Sequence, residues 1–179
     1  ERLSTEPGPN PFAEQTLLDL ASLRLRLGLA DETLAVLPPA GRSPDADFLR
    51  GLALANKLRF LEASSVFLSV ANDPDLAEPA LYNAALCEML ADAPEKPARA
   101  ALESRFPNSR NLSALKLQEA FQQVRAGKPE AGGTLESLAQ SQDSTTAAKA
   151  RLALAEWKFQ QLDTAGSRLE LEKISTQTE

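Results

Sequence analysis

The chain has 179 residues, a length suited to one ordinary domain, and its 43% apolar and 25% charged side chains exclude disorder for its body. A net charge of −6 and a pI near 4.9 argue against a nucleic-acid partner, because phosphate binding needs a basic surface. With no histidine and one cysteine, four-ligand zinc sites and internal disulfides are excluded, and no apolar run approaches the roughly 18 residues of a membrane span.

Leu and Ala dominate the apolar set, while Tyr, Trp and β-branched residues are scarce, so the composition predicts an all-α fold. The chain opens on Glu1 rather than Met, as expected of a processed or excised chain. Residues 1–11, with Pro7, Gly8, Pro9 and Pro11, read as a linker. Helix pairs follow at 12–27 with 30–37, 45–57 with 60–72, 76–91 with 95–105, 109–126 with 129–140, and 144–161 with 164–175. Short connections make neighbouring helices antiparallel.

Local chemistry supports these boundaries. Gly28 turns the first pair, and Pro38-Pro39 ends its short second helix. Ser43-Pro44 supplies an N-cap oxygen and then a residue that needs no amide partner. Asp73-Pro74 either opens the next helix in the same way or closes the preceding one. Gly127-Lys128-Pro129-Glu130 reads as a stop and a start, and Gly132-Gly133 as a bent helix start. Two stretches, Leu23 to Leu27 and Leu169 to Glu172, alternate with period two, yet each lies within a run of helix formers and is expected to be helical.

A repeat runs through these pairs. Small residues recur at Ala63, Ala98, Ala131 and Ala165, spaced 35, 33 and 34 residues apart, each with a bulky residue one turn on: Phe67, Leu102, Leu135 and Leu169. Gly51 and Pro74 in one unit, and Leu81-Tyr82-Asn83-Ala84-Ala85 with Pro107 in the next, complete a pattern that resembles the tetratricopeptide repeat, a helix–turn–helix of 34 residues. Units 12–42, 43–75, 76–108, 109–142 and 143–176 would form one domain over 12–179. The fourth and fifth fit less closely, and Leu162 stands where a turn Gly is usual.

The resemblance implies a right-handed α-α superhelix of about five antiparallel hairpins, a solenoid that presents a concave groove to a peptide or a partner helix. Phe48, Leu52, Asn56, Tyr82, Asn83, Leu86 and Met89 would line that groove, with Glu119 and Gln123 extending it. The implied function is a non-catalytic scaffold or adaptor in a bacterial assembly, with the periplasm favoured over the cytoplasm. Two other readings stay open: a self-assembly module that forms a homodimer through an apolar end near Trp157, and an RNA-binding helical array, which the acidic charge disfavours.

No catalytic, cofactor-binding or metal-ligating residue is expected. A nucleophilic triad lacks its histidine base, and no GxSxG, GxGxxG or GxxxxGK[ST] motif occurs. Asp73/Asp75 and Asp92/Glu95 flank prolines as caps or turn residues. Cys87 lies among Ala85, Leu86 and Met89 and is expected to be a buried, inert thiol, with Trp157 a core or end-of-stack residue.

Overall fold

A computed structural model describes residues 13–175. The linker expected over 1–11, Phe12 and residues 176–179 lie outside the described residues. Ten helices and no strand are found among them. They are α1 Ala13–Arg26, α2 Ala30–Val36, α3 Pro44–Asn56, α4 Phe60–Val70, α5 Ala77–Leu90, α6 Pro97–Arg105, α7 Arg110–Arg125, α8 Ala131–Leu138, α9 Ser144–Gln160 and α10 Thr164–Ser175. Both alternating stretches are helical, apart from Leu27 in the turn after α1. Helix-forming side chains outweigh a period-two pattern that has no neighbouring strand to pair with.

Packing divides the chain into two compact units that part between Ser104 and Arg105. In the first, α1 packs on α2 and α3, α2 on α3, α3 on α4, and α4 on α5. In the second, α7 packs on α8 and α9, α8 on α9, and α9 on α10.

The first helix of every pair ends in the same way. Gly28, Leu58, Asp92, Gly127 and Leu162 all have positive φ, between 49° and 76°. At each, the amide of the left-handed residue donates to the carbonyl three residues back, and the next amide donates to the carbonyl five back: Leu58 to Ala55 and Arg59 to Leu54, for example, and Leu162 to Phe159 and Asp163 to Lys158. This double closure is the Schellman motif, which satisfies carbonyls that the helix end leaves open. The five left-handed residues stand 30, 34, 35 and 35 positions apart. The backbone thus repeats its turn even where the sequence supplies Leu or Asp instead of Gly.

Helix starts are less uniform. Pro44 opens α3, but the Ser43 side chain caps nothing; Asp47 instead takes the Gly41 amide at 2.7 Å. Pro74 lies in neither neighbouring helix, and Asp73 Oδ1 accepts the Asp75 and Leu76 amides at 3.0 and 3.1 Å just ahead of α5. Gly132 and Gly133 both lie within the first turn of α8.

Three of the four small-and-bulky pairs are buried: Ala63 with Phe67, Ala98 with Leu102, and Ala131 with Leu135. The fourth is not. Ala165 is exposed and Leu169 is 56% exposed. In α10 the inner positions fall one residue later, on Gly166 and the buried Glu170. Gly166 and Glu170 stand four and eight residues after the turn residue Leu162, as Ala131 and Leu135 do after Gly127, so Glu170 stands where Leu135 does. Burial pushes its carboxyl up, but hydrogen bonds from Lys173 at 2.9 Å and Lys158 at 3.0 Å outweigh that and hold it below the usual carboxylate range.

Candidate functional site

The repeated turn gives a frame for placing side chains on each first helix. Ten and six residues before the left-handed residue stand Leu18 and Ser22 in α1, Phe48 and Leu52 in α3, and Tyr82 and Leu86 in α5. All six are half-buried, so each first helix of the first unit offers the same face partly open to solvent. Phe48 is fixed from below by Phe67 of α4, edge to face, with ring centroids 5.4 Å apart at 64°. Asn56 is exposed at the end of α3. Asn83 sits beside Tyr82, and its Nδ2 donates to the Pro79 carbonyl at 2.8 Å, which leaves Oδ1 to accept. Met89, 8% exposed, contributes to the core and offers no surface.

The same frame shifts the residues of α7. Its equivalent positions are Leu117, buried, and Phe121, half-buried and packed on the core of the second unit. Glu119 and Gln123 stand two residues further on and are also half-buried. Gln123 Oε1 is buried with no hydrogen-bond partner. The signal that would have set this register is Gly127, whose place as the turn residue fixes the count back to Leu117 and Phe121. In α9 the equivalent residues are Leu152 and Glu156, both exposed.

What this face can do follows from its side chains. Phe48, Leu52, Tyr82 and Leu86 supply apolar area on rigid helices, with the Tyr82 hydroxyl as a polar tip, a composition suited to holding another apolar side chain. Cys87 is buried beside it, and burial, with the neighbouring Glu88 charge, pushes its thiol up to about 11, far from the reactive thiolate. Trp157 is half-buried and packs on the α8–α9 core directly over Gly132, with its Nε1 donating to the Lys128 carbonyl at 3.4 Å.

A polar cavity of about 470 Å³ lies in the second unit, lined by residues that include Ser109, Arg110, Ser113, Asp143 and Thr146 at the starts of α7 and α9. Its polar atoms are largely committed. Ser109 Oγ accepts the Asn111 and Leu112 amides, and Asp143 accepts the Thr146 amide and hydroxyl at 2.9 and 2.6 Å, which hold its carboxyl below the usual range. Among the described residues no cluster of Cys, Asp or Glu is arranged to hold a metal ion, and no helix is long and apolar enough to cross a membrane. No family model, curated protein or solved structure matches the chain.

Proposed function

We propose that the chain is a tetratricopeptide-like repeat protein, a right-handed α-α solenoid of five hairpins, which serves as a non-catalytic scaffold for a protein partner. The observation that carries the reading is the recurrence of one Schellman turn at residues 28, 58, 92, 127 and 162, a stride close to the 34 residues of that repeat. A fold built from such units buries each hairpin against its neighbours and leaves the first helices to present side chains on rigid backbone. The receptor then loses little ordering entropy when a partner docks. The partner is an apolar peptide segment or helix that rests on Phe48, Leu52, Tyr82 and Leu86 in the first unit, with Asn83 Oδ1 receiving a backbone amide.

Affinity capture from the native extract tests this reading. The Leu52→Glu and Tyr82→Ala variants should lose a partner that wild type and Leu61→Ala retain, since Leu61 is exposed on α4, a second helix, and is not one of the residues proposed to hold the partner. Equal recovery by all four proteins rules the face out.

A further inference from the structure

Charge is unevenly shared between the two units. Residues 1–104 carry sixteen acids and nine bases, a net charge of −7, whereas residues 105–179 carry nine acids and ten bases. The acidic unit is the one whose first helices hold Leu18, Phe48, Leu52, Tyr82 and Leu86 half-buried.

Part of that charge follows the face. Glu14, Asp45 and Glu78 stand fourteen, thirteen and fourteen residues before the left-handed residues that end α1, α3 and α5, each in the first turn of its helix. They lie one helical turn ahead of Leu18, Phe48 and Tyr82, the spacing at which side chains of one helix are neighbours. In the second unit the same positions hold Ser113 and Ala114 in α7, and Ala148 and Lys149 in α9. Glu14 and Asp45 are exposed, and among the described residues neither forms a salt bridge. The first turns of α2 and α4 differ: there Asp31 pairs with Lys57, and Glu62 with Arg59. Attraction to the positive end of a helix accounts for an acid in a first turn. It does not by itself set that acid beside the open apolar side chain, since a first turn has positions on every side of the helix.

An apolar floor bordered by carboxylates complements a segment with apolar side chains on one side and cations next to them. We infer that the partner is a basic amphipathic segment of a protein. Its apolar side chains rest on Phe48, Leu52, Tyr82 and Leu86, and its lysines or arginines meet Glu14, Asp45 and Glu78. This partner presupposes the docking face proposed above and specifies the charge of what docks there. The net charge of the unit draws such a segment in from solution and repels acidic ones.

Fluorescence anisotropy with three synthetic peptides of equal length is the test. Each has leucines three and four residues apart, and lysine, glutamine or glutamate fills the other positions. Wild type should bind the lysine peptide best and the glutamate peptide least, and added salt should narrow the difference. Glu14→Gln with Asp45→Asn should weaken the lysine peptide by roughly three- to tenfold at low salt and leave the glutamine peptide unchanged. Glu32→Gln with Glu95→Gln removes the same charge from exposed residues outside the face and should change either peptide far less. Glu14→Lys with Asp45→Lys should turn the preference toward glutamate. Tyr82→Ala should weaken the lysine and glutamine peptides alike. If Tyr82→Ala changes nothing, the docking face fails and this partner with it. If Tyr82→Ala weakens binding but the Glu14 and Asp45 changes do not, the face stands and its basic partner is overturned. An equal loss from the Glu32 and Glu95 changes, or a wild type without preference for the lysine peptide, overturns it too. Circular dichroism confirms that each variant is folded.

Discussion

Gly51 lies against the ring of Phe67: a Cβ at residue 51 would stand 2.6 Å from Cε1. The ring is wholly buried and is gripped on its edge by Phe48, so it has nowhere to move. Gly51→Ala should therefore destabilise the first unit by about 1–3 kcal/mol despite the better helix propensity of Ala. Gly132 makes a similar approach to Trp157, at 2.7 Å from Cη2, but that indole is only half-buried and can swing outward. The Gly132→Ala penalty should be the smaller of the two. Urea unfolding of both variants measures the difference, and Phe67→Leu placed in the Gly51→Ala background should recover part of the loss.

Leu58 and Leu162 adopt left-handed backbone, at φ of 60° and 65°, and their side chains are 74% and 88% exposed. A side chain there strains against its own carbonyl and gains almost no burial in return. Replacing either with Gly should stabilise the protein by about 0.5–1 kcal/mol, the relief being partly offset by the greater freedom of Gly in the unfolded chain. Gly28→Ala and Gly127→Ala should go the other way by a similar amount, since both glycines have positive φ in open space. Thermal melts of the four variants should give two increases in Tm and two decreases.

The helices were legible because Leu-rich and Ala-rich runs between turn residues leave few alternatives, and each observed end falls within two residues of its predicted place. Sequence periodicity also located Phe48, Leu52, Tyr82 and Leu86 on matching faces. It failed where the repeat is carried by backbone rather than side chains. Nothing in Leu58 or Asp92 advertises positive φ, so the turn does not show as a repeat in the sequence and Gly127 reads only as a helix stop, not as the residue from which to count back along α7. Glu119 and Gln123 accordingly stand two residues past the positions that match Phe48 and Leu52. Ala165 and Leu169 misled in the opposite sense. They satisfy the small-and-bulky spacing, but the inner face of α10 holds a carboxylate matched by two lysines, which no hydrophobic pattern reveals.

That carboxylate makes a prediction. Glu170 is 5% exposed and sits where α8 has Leu135, with Lys158 itself mostly covered. Glu170→Ala should cost about 1–3 kcal/mol, because it strands the Lys158 ammonium in a poorly solvated place. Glu170→Leu with Lys158→Met should match or exceed wild type, as apolar side chains of similar volume replace the pair. The lowered carboxyl of Glu170 contributes stability that is present above the unfolded-state pKa and lost as pH falls through the folded one. Protection factors along α10, which divide out the slower intrinsic exchange in acid, should therefore fall on acidification in wild type and change less in the double variant.

Glu88 should behave in the reverse sense. It is 3% exposed in α5, and its Oε1 and Oε2 accept the Ala98 and Arg99 amides at 3.0 and 3.4 Å, closing the start of α6. Burial raises its carboxyl above the usual range more strongly than those amides, the Ser64 hydroxyl and the Lys96 charge lower it. An acid raised on folding binds its proton more tightly in the folded chain, so its contribution is complete below the unfolded-state pKa and fades as pH rises through the folded one. Glu88→Gln keeps an acceptor for the α6 amides and removes the desolvated charge. It should be at least as stable as wild type at pH 7, and the advantage should shrink as pH falls below the carboxylate range. Glu88→Ala leaves the Ala98 amide without its partner and should cost about 1–3 kcal/mol at any pH. Urea midpoints for the three proteins between mild acid and neutrality decide the matter: a Gln variant that loses stability at pH 7 would mean that the charge on Glu88 helps to hold α6 in place.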